Sequence, residues 1–237
     1  LDKGHVVIGI DDLSGGYIEN VDPRLDFYER NLSEASKVDK VFQDTRPEYV
    51  YHFAAYAAVG VSPFLRSFNY TNNVVSSANV INCCVNYNAK KIIFTSSMDV
   101  YGSACPPPYV EDMTPSPEDP YGIGKYAVEM DLKHAGRLFG LKYSVVRPHN
   151  VFGIYQNIWD KYRNVLGIWI RQTLSDQPLT IYGDGSQVRS FSDIKYYMEP
   201  FEKLMRLGDN QTYNVGADTK MSILEAAERF SLVAKKL

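Results

Sequence analysis

Three side chains of this sequence could together move a proton. Tyr121 and Lys125 lie four residues apart, and the pair Ser96-Ser97 ends an apolar run upstream. A spacing of four places the phenol and the ammonium on one face of a helix, about 5–6 Å apart at Cβ. A nearby cation lowers the pKa of a tyrosine from its usual value of about 10. A serine hydroxyl can then hold an alcohol or carbonyl that is oxidised or reduced, so the spacing indicates acid–base chemistry.

The same spacing also occurs by chance, with a tyrosine and a lysine on the polar surface of a helix. The rest of the chain therefore has to decide between the two interpretations.

The composition is that of an ordinary globular protein and excludes several classes of function. The chain has 237 residues, with 45% hydrophobic residues, 22% charged residues and a net charge of −3. No block of Lys and Arg suggests a nucleic acid or an anionic membrane as partner. The apolar runs have the length of strands, so we predict no transmembrane helix, and the first residues do not resemble a signal peptide.

The cysteines and histidines suggest no metal site. Cys83, Cys84 and Cys105 lack the spacing of zinc ligands, and the four histidines are scattered. We therefore expect reduced thiols in a cytoplasmic protein and no bound metal.

Short apolar runs alternate with helical patterns over the first 150 residues. The predicted strands are His5–Ile10, Tyr49–Phe53, Lys91–Thr95 and Lys142–Arg147, and the predicted helices are Ser33–Arg46, Thr71–Asn88 and Pro117–Phe139. Ser116 is the expected N-cap of the last of these helices, with Pro117 at its first position. Such alternation favours a parallel sheet that is covered by helices on both faces.

The pattern changes near Asn150. Beyond it we predict a helix over Tyr162–Leu174, short strands over Leu179–Tyr182, Phe191–Ile194 and Thr212–Val215, and a last helix that Ser222 and Glu225 open as a capping box. We therefore expect a nucleotide-binding domain over 1–150 and a smaller lobe over 151–237. Residues 188–198 and 212–216 are expected to return to the sheet.

Seven segments along the chain carry a family resemblance. They are HVVIGIDDLSGG (5–16), YHFAAYAAVG (51–60), NYTNNV (69–74), FTSSMDVYG (94–102), DPYGIGKYAVE (119–129), RPHNVFG (147–153) and IYGDGSQVRSF (181–191). In this order they resemble the extended short-chain dehydrogenase/reductases, in particular the UDP-glucose 4-epimerase-like members. The resemblance implies an α/β fold: a Rossmann-type doubly wound parallel sheet with a smaller C-terminal substrate-binding lobe.

The resemblance also implies NAD as cofactor and a set of residues that contact it. The residues at matching positions are Asp11, Asn31, Leu32, Phe53, Ala54, Ala55, Asn73, Tyr121, Lys125 and Pro148. An acid at Asp11 can accept hydrogen bonds from ribose hydroxyls and would repel a 2′-phosphate, which favours NAD over NADP. The alternatives are that Asp11 caps a loop and that Asn73 is the N-cap of its helix.

The expected substrate is a nucleotide-diphosphate sugar, with a UDP-sugar favoured. The positions that match the family are Ser97, Asn150, Asn164, Tyr182 and Arg189. The planar guanidinium of Arg189 suits a diphosphate because it can bind two oxygens at once. The alternatives are an internal salt bridge for Arg189, a core position for Tyr182, a turn cap for Asn150 and an exposed polar position for Asn164.

The sequence departs from the family at its front and beside Ser97. The family begins with a strand and a glycine-rich phosphate loop, whereas Leu1–His5 looks like the end of the helix that follows them. We expect the complete protein to be longer at both ends. Asp99 matches one of two acids that nucleotide-sugar 4,6-dehydratases carry, while Met98 occupies the position of the other.

Three functions follow from the resemblance. The first is an NAD-dependent nucleotide-sugar 4-epimerase that works through a transient 4-keto intermediate, with Ser97, Tyr121 and Lys125 as catalytic residues. The second is a 4,6-dehydratase that uses Asp99, and the third is a non-catalytic NAD-binding regulator. Family members pair the helices predicted at Thr71–Asn88 and Pro117–Phe139 with those of a second copy, so we expect a homodimer.

Overall fold

The computed structural model describes residues 1–160, 162 and 164–235 and divides the chain into two compact units. Unit 1 comprises Leu1–Arg147 and Glu199–Asn214. Unit 2 comprises Pro148–Met198 and the chain from Val215 onward. The predicted boundary at Asn150 therefore differs by three residues, and residues 199–214, which we assigned to the smaller lobe, lie in unit 1.

The secondary structure alternates as an α/β fold requires. The strands are β1 (Ile8–Asp11), β2 (Asp26–Glu29), β3 (Tyr49–His52), β4 (Lys91–Thr95), β5 (Lys142–Pro148), β6 (Asn150–Phe152), β7 (Val188–Arg189), β8 (Phe191–Asp193), β9 (Gln211–Val215) and β10 (Met221–Ser222). The α-helices are α1 (Ala35–Thr45), α2 (Arg66–Tyr70), α3 (Ser76–Asn86), α4 (Pro120–Phe139), α5 (Val165–Leu174), α6 (Met198–Leu204) and α7 (Ile223–Ala234).

Unit 1 is built on parallel strands with helices on both faces. β1 pairs with β2, and a four-stranded sheet has the order β3-β4-β5-β9, in which β3, β4 and β5 are parallel. Alternate residues of β4, Ile92 and Phe94, pack in a core that α1, α3 and α4 supply. On the opposite face the Tyr51 ring of β3 packs edge-on against Phe201 of α6. Each strand turns successive side chains to opposite sides of the sheet, so apolar side chains lie on both faces, and helices cover both.

The helix that carries Tyr121 begins later than we predicted. Asp119 is its N-cap and Pro120 its first residue, where Ser116 and Pro117 were expected. Oδ1 of Asp119 accepts hydrogen bonds from the backbone N–H groups of Tyr121 and Gly122, at 2.8 and 3.3 Å. The prediction was wrong because Ser116-Pro117 and Asp119-Pro120 carry the same local signal, a capping residue followed by a proline. Only Asp119 has a carboxylate within reach of these N–H groups.

The helical segment predicted over Thr71–Asn88 is longer at its start and irregular in its middle. α2 begins at Arg66, a π-helical turn spans Thr71–Val75, and α3 ends at Asn86. Asn73 lies inside the π turn, so its interpretation as an N-cap was wrong. Hydroxyl groups within the segment support the turn, since Oγ of Ser77 donates to the Asn73 carbonyl at 2.6 Å. Turns of this type are frequent at functional sites.

The described residues of unit 2 form two small sheets and the α-helices α5 and α7. β6 pairs with β8 in parallel, and β7 pairs with β10 in antiparallel orientation. Residues 188–193 thus pair within unit 2, and only the predicted segment 212–216 contributes a strand, β9, to the four-stranded sheet. The cap at Ser222 is present, because its Oγ accepts from the Glu225 N–H at 3.0 Å.

Two predictions for unit 2 need correction. Leu179–Tyr182 is not a strand, because the side chains of α5 take its backbone hydrogen bonds: Gln172 accepts from the Thr180 N–H at 3.1 Å, and the Trp169 indole donates to the Thr180 carbonyl at 2.9 Å. The preceding helix begins at Val165, with Asn164 as its cap, instead of Tyr162. Residues 161 and 163 lie outside the described residues.

Two leucines of α4 allow a matched test of the core of unit 1. Leu132 is fully buried, whereas Leu138 is 59% exposed. We expect Leu132→Ala to lower the free energy of unfolding by about 2–5 kcal/mol, because it removes buried methyl groups and leaves a cavity. Leu138→Ala should change it by about 0.5 kcal/mol or less. Urea denaturation monitored by circular dichroism measures both, and equal losses would contradict this placement of α4.

Candidate active site

Tyr121 and Lys125 lie on one face of α4, as their spacing predicts. Both side chains are buried, and Nζ of Lys125 lies 5.9 Å from the centre of the Tyr121 ring. Between them, Gly124 packs on the π turn: a Cβ at this position would lie 3.4 Å from the Val74 side chain. The small residue thus allows α4 to approach the neighbouring helical segment closely.

The ammonium of Lys125 is held in a nearly water-free position. Its Nζ donates to the carbonyl of Thr95 at 2.8 Å and lies 4.8 Å from the centre of the Phe94 ring. Burial lowers the pKa of Lys125 to about 7, and the carboxylate of Glu129 acts in the opposite direction. Whether this lysine is charged near neutral pH thus depends on the groups around it.

The two serines after β4 point in different directions. Oγ of Ser96 is buried and donates to Oε1 of Glu129 at 2.5 Å. Ser97 is half-buried, and its Oγ accepts from the Asp99 N–H at 3.1 Å as the cap of a short 3-10 turn, Met98–Tyr101. That bond leaves the Ser97 hydroxyl hydrogen as a donor, so Ser97 is the serine that can meet a reacting oxygen.

A relay of side-chain amides connects the π turn to the start of α4. The Asn73 amide exchanges hydrogen bonds with the backbone of Tyr56 at 2.8 and 3.1 Å, and it donates to Oδ1 of Asn69 at 2.8 Å. Asn69 in turn donates to the Pro120 carbonyl at 2.9 Å. Asn73 therefore holds the residue that precedes Tyr121, a role that the sequence did not reveal.

A buried ion pair beneath the site was also missed. Arg147 donates to Glu129 through Nε at 3.0 Å and through Nη2 at 2.6 Å, and its Nη1 donates to the Tyr101 hydroxyl at 2.8 Å. One signal was available, since Glu129 follows Lys125 by four residues and so shares its face of the helix. Nothing in the sequence connected Glu129 to Arg147.

His52 of β3 is the remaining titratable group near this lysine. It is buried, and its Nε2 lies 2.8 Å from Oγ of Ser77. Burial, with a smaller contribution from the charge of Lys125, lowers the pKa of His52 to about 3. The imidazole is therefore neutral at physiological pH.

The positions predicted to contact the cofactor end β1 and β5, follow β2 and β3, or lie on α4 and the π turn. Oδ1 of Asp11 accepts from the Leu13 N–H at 2.7 Å, and the Asn31 amide donates to Asp12 at 2.9 Å, so both are partly used in loop structure. Phe53 is 55% exposed and packs beside Tyr51. The other members are partly buried at the ends of strands or next to them: Leu32, Ala54, Ala55 and Pro148.

The substrate-binding candidates of unit 2 fall into two groups. Tyr182 is 75% exposed, which excludes the core alternative, and Arg189 forms no ion pair with a described acidic residue. The two asparagines bond within the unit. Asn150 donates to the Ser190 carbonyl at 3.0 Å, and Asn164 donates to the Val151 carbonyl at 2.8 Å while it accepts from Gly167 and Gln156.

Within the part of the chain that the structure describes, no group of three or more His, Cys, Asp or Glu could hold a metal ion. None of the described helices is long and apolar enough to span a membrane.

Comparison with known proteins places this geometry in a family. Residues 1–216 match the model of the NAD dependent epimerase/dehydratase family. The chain belongs to this family. It is 30% identical over 232 residues to a UDP-glucose 4-epimerase of Mycolicibacterium smegmatis, an alignment that covers 95% of this chain and 74% of that protein.

Two solved structures of such enzymes superpose closely. The UDP-glucose 4-epimerase of Thermotoga maritima, solved with UDP-glucose, has a TM-score of 0.95 at 31% identity. The match covers 99% of this chain and 76% of that enzyme's chain. The UDP-glucose 4-epimerase of Thermus thermophilus, solved with NAD, has a TM-score of 0.92 at 28% identity. The match covers 99% of this chain and 77% of that enzyme's chain.

The comparisons confirm four predictions: the UDP-glucose 4-epimerase-like resemblance, the Rossmann-type α/β fold, an enzyme of the NAD-dependent nucleotide-sugar epimerase type, and NAD as cofactor. These findings favour an enzyme over the third alternative, a regulator without catalysis. The site fits the cofactor, because Lys125 is a buried triple donor that donates to the Thr95 carbonyl and, among the described residues, to no second acceptor, so it can also bind ribose hydroxyls.

The position of Lys125 makes stability depend on pH. The pKa of Lys125 is 10.5 in the unfolded chain, the ordinary value of a lysine, and about 7 in the folded protein. Between these two pH values the unfolded state therefore binds more protons. The free energy of unfolding should therefore rise with pH across this window. We expect Lys125→Met to flatten the rise. Urea titrations at several pH values measure it, with Lys133→Met, an exposed lysine of α4, as the control. Equal slopes in Lys125→Met and the parent would contradict the burial of Lys125.

Proposed function

We propose that this protein is a 4-epimerase of UDP-sugars that works through a transient 4-keto sugar. One observation carries the proposal: a buried tyrosine with a buried lysine one helical turn away, next to a serine whose hydroxyl hydrogen is available. The UDP-glucose 4-epimerase resemblance at about 30% identity supports the choice of sugar nucleotide.

The protein's part in the reaction is to move one proton and to hold one oxygen. In the proposed mechanism Tyr121, as phenolate, removes the proton of the sugar 4-hydroxyl. Ser97 donates a hydrogen bond to the oxygen as it becomes a carbonyl, and Tyr121 returns the proton after the sugar has turned. When bound, NAD would supply the redox chemistry: it would accept a hydride from C4 of the sugar and return it to the opposite face of C4. Lys125 binds the nicotinamide ribose and keeps the phenol acidic.

Unit 2 supplies the proposed contacts to the nucleotide. Arg189 and Tyr182 are exposed there and offer a planar cation and an aromatic ring. These groups suit a diphosphate and a base, respectively. Asn150 and Asn164 bond within unit 2, and we propose that they shape the segments around these contacts and bind substrate only through the second N–H that these bonds leave on each amide.

A homodimer in the cytoplasm completes the proposal. Val75, at the end of the π turn, and Ile123 and Met130 of α4 are exposed apolar side chains that a second copy could cover. Cys83 and Cys84 are buried free thiols, and the third cysteine, Cys105, is also unpaired. Free thiols are typical of a reducing compartment.

The alternative, a 4,6-dehydratase, depends on Asp99. The Asp99 carboxylate packs against the first turn of α4, where a Cβ on Gly122 would lie 3.1 Å from Oδ2 and 2.9 Å from the backbone carbonyl. This placement favours a structural role, in which Asp99 supports the start of the helix.

Tyr121→Phe tests the acid–base role. We expect turnover of UDP-glucose to fall by about 10²–10⁴-fold while NAD remains bound, because the change deletes only the ionisable oxygen. Tyr126→Phe on the same helix is the matched control and should keep the parent activity. A coupled assay for the 4-epimer and fluorescence titration of NAD give the two readouts. Near-parent turnover in Tyr121→Phe would remove the basis of the proposed mechanism.

Asp99→Ala separates the epimerase from the dehydratase. We expect a loss of about tenfold or less, with a product of unchanged mass. In a dehydratase Asp99 would remove the C5 proton, so Asp99→Ala should lose as much activity as Tyr121→Phe. The product of the parent protein should then be lighter than the substrate by one water. Mass spectrometry of the product and the two rates decide the matter. A hundredfold drop in Asp99→Ala would overturn the epimerase.

A further inference from the structure

Glu129 is a fully buried carboxylate one helical turn beyond Lys125. It receives three hydrogen bonds: from Oγ of Ser96 at 2.5 Å, from Nε of Arg147 at 3.0 Å and from Nη2 of Arg147 at 2.6 Å. Burying a charge is costly unless it is paired and hydrogen-bonded, and this one is both. The carboxylate is therefore held in a fixed position as the counter-ion of Arg147.

The guanidinium on the other side of this pair is equally constrained. Arg147 is buried, its Nη1 donates to the Tyr101 hydroxyl at 2.8 Å, and its Cζ lies 4.8 Å from the centre of the Tyr101 ring. The network thus connects the residue before Ser97, the helix of Lys125, strand β5 and the end of the 3-10 turn. Each of these elements either carries or borders a proposed catalytic side chain.

The charges do not balance without Glu129. Two buried cations, Lys125 and Arg147, lie around this one fully buried carboxylate of the described residues. Two other groups near Lys125 carry no charge at neutral pH: the imidazole of His52 on β3 and the Thr95 carbonyl on β4. The remaining neighbour is the phenol of Tyr121 on α4, the group that this lysine is proposed to keep acidic. Tyr70 and Asn73, on the helical segment packed against α4, lie beside Gly124.

We propose that Glu129 is a positioning residue for catalysis: its ionised carboxylate, oriented by Arg147 and Ser96, keeps Lys125 protonated and thereby keeps the Tyr121 phenol acidic. The inference rests on the acid–base roles proposed above for Tyr121 and Lys125. A carboxylate stabilises a cation close to it, and that cation stabilises the phenolate. Without the carboxylate, the buried lysine would release its proton at a lower pH, and the phenol would ionise at a higher one.

The test must separate loss of charge from loss of fold. Glu129→Gln alone leaves Arg147 buried without a counter-ion, which destabilises strongly. The double variant Glu129→Gln/Arg147→Met removes both charges at similar volume. We expect it to fold and its kcat/KM at neutral pH to fall at least tenfold. The pH at which its activity rises should move up by about one unit.

Two further measurements make the outcome decisive. Tyr101→Phe loosens the same network without changing a charge, so its pH profile should match that of the parent. Glu129→Asp retains the carboxylate, so its pH profile should stay close to that of the parent. A parent-like profile in a folded double variant, or a shifted profile in Tyr101→Phe, would show that the network acts through packing and would overturn the proposal.

A readout independent of activity separates this inference from the proposed function. Stability should begin to rise with pH at a lower pH in the double variant than in the parent, because Lys125 then releases its proton earlier in the folded state. Thermal denaturation at several pH values measures this. If Tyr121→Phe kept full turnover, the catalytic roles would fail, while these melting curves would still report whether Glu129 controls the charge of Lys125. An unchanged onset would overturn the inference in either case.

Discussion

The structure of unit 1 depends on one buried ion pair, between Glu129 of α4 and Arg147 of β5. Both side chains are almost inaccessible to water, and their remaining hydrogen bonds go to Ser96 and Tyr101. A buried pair of this kind stabilises little by itself, because desolvation offsets much of the attraction, but removing one partner leaves an uncompensated charge. The pair therefore specifies how β4, α4 and β5 must meet, and the proposed catalytic side chains lie on or beside these elements.

The same low-polarity interior gives the site its chemistry. In water an ammonium would hardly affect a phenol some ångströms away, whereas in a dry interior the interaction is several times stronger. Burial also opposes the charge on Lys125 itself, as the lowered pKa shows. An acid–base site of this type thus needs a fixed negative charge nearby, and it needs neighbours such as His52 that stay neutral.

Sequence periodicity predicted the regular elements well and their irregularities poorly. β4 was predicted with its observed bounds, and α1 was predicted to within two residues at each end, because a hydrophobic period of two or 3.6 residues is a local property. The π turn at Thr71–Val75 was not predicted, since it depends on hydroxyl and amide groups that find partners only in the folded chain. Likewise Leu179–Tyr182 has the residues of a strand, but the side chains of α5 take its backbone hydrogen bonds.

By itself the sequence determined the class of fold and the trio of chemical groups. A four-residue spacing decides which face of a helix two side chains share, and seven short segments in order indicated the family. Only the tertiary structure decided that Ser96 turns inward and Ser97 does not, that Asp119 caps α4, and that Glu129 meets Arg147, 18 residues away. The reason is physical: helix periodicity acts between near neighbours, whereas the partner of a buried charge depends on how the whole core closes around it.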